Sequence, residues 1–148
     1  MSIKIKLTNG ATELIRGSEF STGLDLKSLK EYILKPMDRV LVETGISIEP
    51  NSPEILEDGN ILIEDIQIRP RSGLSSKGIV AHLGTIDLDF RGELKVSIIN
   101  LSGEDYTINT GDKVAQLVFG FAGIPKINYV NELNTTVRGE NGFGSTGI

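Results

Sequence analysis

The sequence has no cysteine, no tryptophan and a single histidine, His82, among its 148 residues. The absence of cysteine excludes disulfide bonds, thiolate metal ligands and a cysteine nucleophile. One histidine cannot by itself build a histidine-rich zinc site. No apolar run approaches the roughly 20 residues of a membrane-spanning helix, and the N-terminus lacks the apolar core of a signal peptide. We therefore expect an intracellular, cytoplasmic protein with no membrane partner.

Basic residues are also scarce. The formal net charge is −5 and the isoelectric point is about 4.9. A long nucleic-acid footprint needs a basic stripe, so we expect no nucleic-acid polymer as a partner, whereas a single nucleotide needs only a few local cations. Hydrophobic residues make up 39% and charged residues 24% of the chain, which is typical of one globular domain with a substantial core.

Alternation of apolar and polar residues dominates the chain and predicts β-strands rather than helices. The predicted strands are Ile3–Leu7, Arg39–Glu49, Ile61–Arg69, Leu94–Asn100 and Lys113–Phe119. Turn-forming residues separate them, and the 17 glycines suit a sandwich, jelly roll or barrel. The one short helix predicted is Ser72–Lys77, where Ser72 is a candidate cap and Leu74 faces inward.

The segment Pro50–Asn60 is acidic and rich in turn formers. We interpret it as the tip of an extended hairpin whose arms are the flanking apolar stretches "ISIE" and "ILIE". A solvated loop explains its composition better than a functional site does.

The C-terminal stretch Val137–Ile148, "VRGENGFGSTGI", combines glycines with an arginine, a phenylalanine and two adjacent hydroxyl residues. Glycine-rich ends bury little and are costly to order, so a flexible end is expected. A nucleotide-binding P-loop is excluded, because Ser145 stands where that motif needs lysine and no helix can follow. The composition still suits an anion, since it offers exposed N–H groups, hydroxyls and Arg138.

Four internal segments combine glycine with charged residues in ways that a core strand does not need. They are Thr22–Lys27 (TGLDLK), Arg69–Gly78 (RPRSGLSSKG), Gly84–Glu93 (GTIDLDFRGE) and Thr110–Leu117 (TGDKVAQL). Each alone has an ordinary alternative: a strand-edge carboxylate at Asp25, a tight turn at Gly111–Asp112, or an outward strand residue at Gln116. Together they supply cations for phosphate oxygens and carboxylates for a hydrated Mg²⁺ and for an attacking water.

Taken in order with the tail "RGENGFGSTG", these segments resemble the five motifs of the homotrimeric dUTPases (deoxyuridine triphosphate nucleotidohydrolases) from about residue 20 to the C-terminus. The resemblance implies an all-β, jelly-roll-like fold and a homotrimer with active sites at the subunit interfaces. It also implies hydrolysis of dUTP to dUMP and pyrophosphate with Mg²⁺. Residues 1–136 would form the β domain, and residues 137–148 would form a flexible arm that closes over an active site.

The resemblance assigns roles residue by residue. Asp87 would be the catalytic base that activates water, and Asp25 would act near the metal, through water, with Mg²⁺ held mainly by the substrate phosphates. The substrate-binding residues would be Arg71, Ser72, Gly73, Ala81, Gly84, Thr85, Ile86, Asp87, Phe90, Lys95, Gln116, Arg138, Phe143, Gly144, Ser145 and Thr146. Within this set, Phe143 would stack on uracil, and Arg138, Ser145 and Thr146 would hold the γ-phosphate region.

Base recognition in this family comes largely from the backbone of a β-hairpin. In this chain the hairpin is predicted to pair residues 81–87 with residues 94–96. A site that satisfies the polar edge of uracil discriminates strongly, because a wrong base leaves its groups unpaired.

Phe90 stands where the family usually has tyrosine. The face that packs on deoxyribose is retained and the hydroxyl is lost, so sugar selection is expected to survive.

Two other functions are weighed. A dCTP deaminase shares the fold but needs a glutamate about ten positions after the aspartate, where this chain has Ser97. A noncatalytic β-trimer that binds nucleotides or proteins is disfavoured by the presence of every candidate catalytic residue.

His82 and Asp89 are interpreted as structural, with Asp89 on the same strand face as Asp87 if that strand is regular. Arg69 and Arg91 suit phosphate binding, and they suit a surface or inter-subunit salt bridge at least as well.

Overall fold

The computed structural model describes residues 2–141, and within them the chain forms thirteen β-strands and one short α-helix. The strands are β1 (Lys4–Leu7), β2 (Ile15–Arg16), β3 (Leu24–Lys27), β4 (Tyr32–Leu34), β5 (Arg39–Glu43), β6 (Ile46–Glu49), β7 (Glu54–Ile55), β8 (Ile61–Arg69), β9 (Ile79–Ala81), β10 (Gly84–Ile86), β11 (Lys95–Asn100), β12 (Tyr106–Ile108) and β13 (Lys113–Ile124), and the helix is α1 (Ser72–Ser75). The predicted all-β class with one short helix is confirmed.

The strands pair antiparallel in four sheets. The largest has the order β10-β8-β13-β3-β2, with β7 added to the end of β8. A second sheet has the order β5-β11-β9, and two ribbons pair β1 with β6 and β12 with β4. Most neighbours are distant in sequence, so the sheets cross-connect the whole chain around one core.

The core is built from the inward positions of these alternating strands. Leu26, Ile66, Ile98 and Leu117 come from four different strands and are fully buried. Burial of each such side chain contributes about 1.5–3 kcal/mol, which is what fixes the strand registers. In the described part of the chain, no helix is long and apolar enough to cross a membrane.

The single strand predicted over residues 39–49 is wrong, because the chain bends at Gly45. Gly45 has a φ of +69°, which is unfavourable for other residues, and a Cβ there would lie 2.5 Å from Oγ1 of Thr8. β5 therefore pairs with β11, whereas β6 pairs with β1.

At the other end of the chain, β13 runs five residues beyond the predicted Phe119 and pairs with β8 throughout that extension.

The predicted hairpin around residues 50–60 is also wrong in its arms. The stretch Ile46–Glu49 pairs with β1 and not with Ile61–Glu64. A smaller hairpin forms instead, in which Glu54 and Ile55 of β7 pair with the first two residues of β8. The turn between them is closed by Gly59, with φ +79°, and by bonds from the Asn60 backbone and side chain to Asp58.

Candidate functional site

Three of the predicted motifs meet in the largest sheet. Asp25 of β3 lies directly opposite Gln116 of β13, and Gln116 lies opposite Arg69 of β8. Directly opposed residues share one face of a sheet, so these three side chains form a row. Gly23 makes close approach possible here, since a Cβ at that position would lie 2.8 Å from Cβ of Gln116.

Asp25 is the centre of a cluster with two cations. Its carboxylate is almost fully buried, with 3% of the residue exposed, yet Nζ of Lys113 lies 2.7 Å from Oδ2 and Nε of Arg71 lies 3.3 Å from Oδ1. The Arg71 approach does not meet hydrogen-bond geometry, and Oδ1 has no hydrogen-bond partner in the described chain. A buried carboxylate of this kind is stable only because cations compensate it.

Lys113 belongs to the Asp25 cluster, although the sequence analysis did not select it as a site residue. Strict alternation along β13 places Lys113 on the sheet face opposite to Gln116, away from Asp25. The register of β13 against β3 shifts between Lys113 and Ala115, which is a bulge. A bulge re-aims a side chain, and here it brings the Lys113 ammonium to Asp25. The sequence "TGDKVAQL" shows that a basic residue is present, but it does not show towards which face of the sheet that side chain points.

Arg71 connects this cluster to the short helix. Besides facing Asp25, its Nη1 donates a 2.9 Å hydrogen bond to the backbone carbonyl of Lys113. The two residues line a shallow cavity of about 320 Å³ together with Leu74, Tyr106, Ile108, Gly111, Asp112 and Val114. This cavity places two cationic side chains beside open space.

The helix differs from its prediction. It covers Ser72–Ser75 rather than Ser72–Lys77, and Arg71 rather than Ser72 occupies the capping position, with no side-chain cap bond. Ser72 and Gly73 are exposed at its start, so their hydroxyl and N–H groups are accessible. Leu74 faces inward as predicted and packs against the core.

The predicted pairing of residues 81–87 with residues 94–96 is wrong. Ala81 pairs with Ile98, and the N–H of His82 continues that ladder by donating to the carbonyl of Ser97. The next strand, β10, leaves this hairpin and pairs with β8 through Gly84, Thr85 and Ile86. A register offset of this size is decided by core packing, and Ala81 is itself buried.

Lys95 pairs with Glu43 of β5 rather than with the 81–87 segment. Its ammonium is half-exposed, 3.8 Å from carboxylate oxygens of Glu43 and Glu93. A hydrogen bond from Lys30 lowers the pKa of Glu43, and the same bond raises the pKa of Lys30. In the described chain Lys95 therefore belongs to a surface charge network.

Asp87 lies at the start of a turn and not in a strand. The turn is closed by the N–H of Phe90, which donates to the carbonyl of Asp87 at 3.1 Å. Asp87 and Asp89 are both exposed, and the expectation that they share a strand face is wrong because no regular strand joins them. The Phe90 ring is 42% exposed and lies over Gly92, where a Cβ would be 2.5 Å from Cζ.

The structure thus brings the first, second and fourth motifs together around Asp25, and the third motif joins the same sheet through β10, which pairs with β8. Within residues 2–141, no hydrogen bond or ion pair joins Asp87 to Asp25, Arg71 or Lys113. Of the predicted tail residues, Arg138 is exposed and its carbonyl accepts the N–H of Asn141. Phe143, Gly144, Ser145 and Thr146 lie outside the described residues.

The oxygen donors of the site suit Mg²⁺ only in part. No group of three or more histidine, aspartate or glutamate side chains suited to a metal occurs among residues 2–141, so this part of the chain offers no complete protein cage. Asp25 does offer one buried carboxylate oxygen without a hydrogen-bond partner. Mg²⁺ typically takes one or two carboxylates and leaves the remaining positions to water and substrate phosphates, so the residues present fit it.

A buried carboxylate flanked by two half-exposed cations, beside a cavity and an exposed helix start, has the charge and the open space that a polyphosphate requires. This arrangement in an all-β protein is the one expected of a nucleotide-binding β-sheet protein. Comparison with known proteins gives the family.

The family model described as dUTPase matches residues 10–147. The deoxyuridine 5'-triphosphate nucleotidohydrolase of Paramecium bursaria Chlorella virus 1 is 43% identical over 145 residues, which cover 97% of this chain and 95% of the relative. That of Treponema denticola is 42% identical over 153 residues, covering 100% and 99%. The Staphylococcus bacteriophage 80alpha dUTPase with dUPNHPP has a TM-score of 0.86 at 25% identity, with 99% of both chains covered.

The chain belongs to the dUTPase family. The predicted family, the jelly-roll-like dUTPase fold and the prediction that the chain is an enzyme of this family are confirmed.

Proposed function

We propose that this enzyme hydrolyses dUTP to dUMP and pyrophosphate with Mg²⁺, and so limits uracil incorporation into DNA while supplying dUMP for dTMP synthesis. The observation that carries the proposal is the cluster of Asp25 with Lys113 and Arg71, which joins three of the five family motifs at one place. Its two cations face a cavity and suit the charge of a triphosphate. The proposed setting is the interior of the cell, where the nucleotide pool lies.

Asp87 is the proposed base. Its carboxylate is exposed and has no hydrogen-bond donor among the described residues, so it is free to accept a proton from water. The activated water attacks the α-phosphorus and forms a new P–O bond. The bond from the α-phosphorus to the bridging oxygen breaks, pyrophosphate leaves with the electron pair, and the water's proton passes to Asp87.

Asp25 is the proposed metal-side carboxylate, acting through water, with the substrate phosphates as the other ligands. When bound, Mg²⁺ supplies charge neutralisation of the phosphate oxygens. Lys113 holds the Asp25 carboxylate in place. Arg71, Ser72, Gly73 and Gln116 contact phosphate.

A homotrimer with shared active sites is the proposed assembly. It would explain why no hydrogen bond or ion pair joins Asp87 to the Asp25 cluster within residues 2–141 of one chain. It would also explain the apolar side chains that one chain leaves exposed beyond β13, which are Ile127, Tyr129, Val130, Leu133 and Val137. Closure of the last segment would complete each site. The γ-phosphate region would be held by Arg138, Ser145 and Thr146. The nucleoside would be contacted by Phe143 and Gly144.

Uracil would be read by the backbone of the segment that includes Gly84, Thr85 and Ile86. Phe90 would pack on the deoxyribose. Ala81 and Lys95 are also proposed to contact substrate. Ala81 would do so through its backbone, since its side chain is buried, and Lys95 from its half-exposed position beside Glu43 and Glu93.

The test is pyrophosphate release with Mg²⁺ or with EDTA, offered dUTP, dTTP, dCTP and UTP. Full-length protein is compared with a chain that ends before Arg138. Turnover of dUTP alone, abolished by EDTA and largely lost on truncation, supports the function and the arm. Turnover that survives truncation contradicts the role of the arm, and equal turnover of dCTP or UTP contradicts the assigned substrate.

A further inference from the structure

Arg91 turns its side chain back onto the turn that precedes it. Its Nη1 donates to the carbonyl of Leu88 at 2.5 Å and to the carbonyl of Phe90 at 3.0 Å. The same turn is closed by the bond from the Phe90 N–H to the Asp87 carbonyl. Hydrogen bonds from a charged donor are roughly twice as strong as neutral ones, so one guanidinium holds two of the carbonyls of this turn in place.

Within residues 2–141, no carboxylate lies within ion-pair distance of Arg91. Its bonds go to main-chain oxygens of its own segment. The side chain is committed to local backbone geometry.

Arg91 also lies beside a second element of the fold. Its side chain lines a groove of about 280 Å³ on the β1–β6 ribbon, with Lys4, Ile5, Lys6, Ser47, Ile48 and Glu49. The pKa of Glu49 is lowered mainly by the hydrogen bond from Lys4, and the charge of Arg91 adds to this effect. The turn and the β1–β6 ribbon therefore face each other across this groove, with the Arg91 charge on its wall.

The turn carries both groups that the proposed reaction needs from this motif. Asp87 begins it, and the Phe90 ring ends it, over the space that Gly92 leaves open. A change in the φ and ψ angles between these two residues displaces the carboxylate relative to the ring. Misplacement of a reacting group by about 1 Å costs up to about 100-fold in rate.

We propose that Arg91 is a positioning residue that sets the Asp87 carboxylate and the Phe90 ring through its two bonds to the turn carbonyls. The inference rests on the proposed function for its kinetic consequences. Its structural content, that Arg91 fixes this turn, stands independently of the substrate.

The experiment compares Arg91→Met, which keeps the apolar stem, with Arg91→Lys, which keeps a charge. Arg39→Met is the matched control, because Arg39 is an exposed arginine with no side-chain hydrogen bond or ion pair among residues 2–141. Four quantities are measured: kcat, KM, the ratio of kcat/KM for dUTP to that for UTP, and amide hydrogen exchange at Phe90. Thermal unfolding confirms that each variant is folded.

For Arg91→Met we expect kcat for dUTP to fall by about tenfold to 100-fold with a smaller change in KM. The preference for dUTP over UTP should narrow, and the Phe90 amide should exchange about tenfold faster. Arg91→Lys should recover part of each loss, since an ammonium can reach one carbonyl, and Arg39→Met should match the parent protein. A general loss of structure would lower the melting temperature. It would not produce these three changes in a variant that melts at the same temperature as the parent protein.

The inference is overturned if Arg91→Met leaves the Phe90 exchange rate unchanged, or if it leaves both kcat and the dUTP preference within threefold of the parent. If the parent and the control fail to hydrolyse dUTP while Phe90 exchange still accelerates in Arg91→Met, the proposed function fails and the role of Arg91 in fixing the turn is supported.

Discussion

Replacing Lys113 with methionine is expected to destabilise the protein more than replacing Asp25 with asparagine, although both changes break the same ion pair. The reason is their unequal burial. The Asp25 side chain is 4% exposed, whereas the Lys113 side chain is 37% exposed. After Lys113→Met the carboxylate stays buried with only Arg71 beside it, whereas after Asp25→Asn the ammonium can turn to water.

The magnitude follows from the 2.7 Å separation of Nζ and Oδ2. At an effective dielectric constant of about 20, two unit charges at this distance attract by about 6 kcal/mol. Part of this attraction is offset, because the Lys113 ammonium is better hydrated in the unfolded state. In the Lys113→Met variant, Arg71 still compensates the charge of Asp25. The net loss for Lys113→Met is therefore about 2–3 kcal/mol. For Asp25→Asn, which also removes a desolvated charge, we expect about 1 kcal/mol.

The assay is urea unfolding followed by circular dichroism, at one fixed protein concentration because any oligomer makes stability depend on concentration. The double variant completes the cycle. It should cost about 1–2 kcal/mol less than the sum of the two single changes, because the unpaired buried carboxylate no longer exists. If Asp25→Asn costs as much as Lys113→Met, or if the two losses simply add, the argument from unequal burial is refuted.

Two further changes test the fold. Gly45→Ala should destabilise the protein by about 2–4 kcal/mol, since φ is +69° and the new Cβ would lie 2.5 Å from Oγ1 of Thr8. The control Gly59→Ala, with φ +79° and open space around the new Cβ, should cost only about 1 kcal/mol. Equal melting temperatures for the two variants would contradict the role given to the Thr8 contact. Glu49→Gln should flatten the loss of melting temperature on acidification. The bond from Lys4 lowers the Glu49 pKa in the folded state, so its stabilisation is present above the unfolded pKa and is lost as pH falls through the folded one. Parallel curves for parent and variant from pH 7 to pH 3 would show that this carboxylate carries no such linkage.

The sequence predicted strands well wherever alternation and burial agree. The bounds of β8 match their prediction, because the β-forming segment is delimited by the Asp58–Asn60 turn on one side and by Pro70 on the other. It failed where a single backbone feature overrides the pattern. Gly45 splits an uninterrupted alternating stretch into two strands of different sheets, and nothing in the apolar pattern distinguishes a glycine that bends a strand from one that does not.

The site shows the same division. Motif content pointed to Asp25, Arg71 and Gln116, and the structure brings them together because β3, β13 and β8 are neighbours. Lys113 was missed because a bulge reverses the direction that alternation gives it. The pairing of residue 81 with residue 98 was missed because strand register depends on core contacts far away in sequence.

Replacing Asp87 with asparagine tests the central claim most directly, with Asp89→Asn as the matched control in the same exposed turn. Asparagine keeps the shape of the side chain and cannot accept the proton. The measurements are single-turnover hydrolysis of dUTP and affinity for a nonhydrolysable analogue. We expect Asp87→Asn to lose about 10³-fold or more in rate while binding stays within a few-fold, and Asp89→Asn to stay close to the parent. Equal rates for Asp87→Asn and the parent, or an equal loss in both variants, would contradict the assignment of the base.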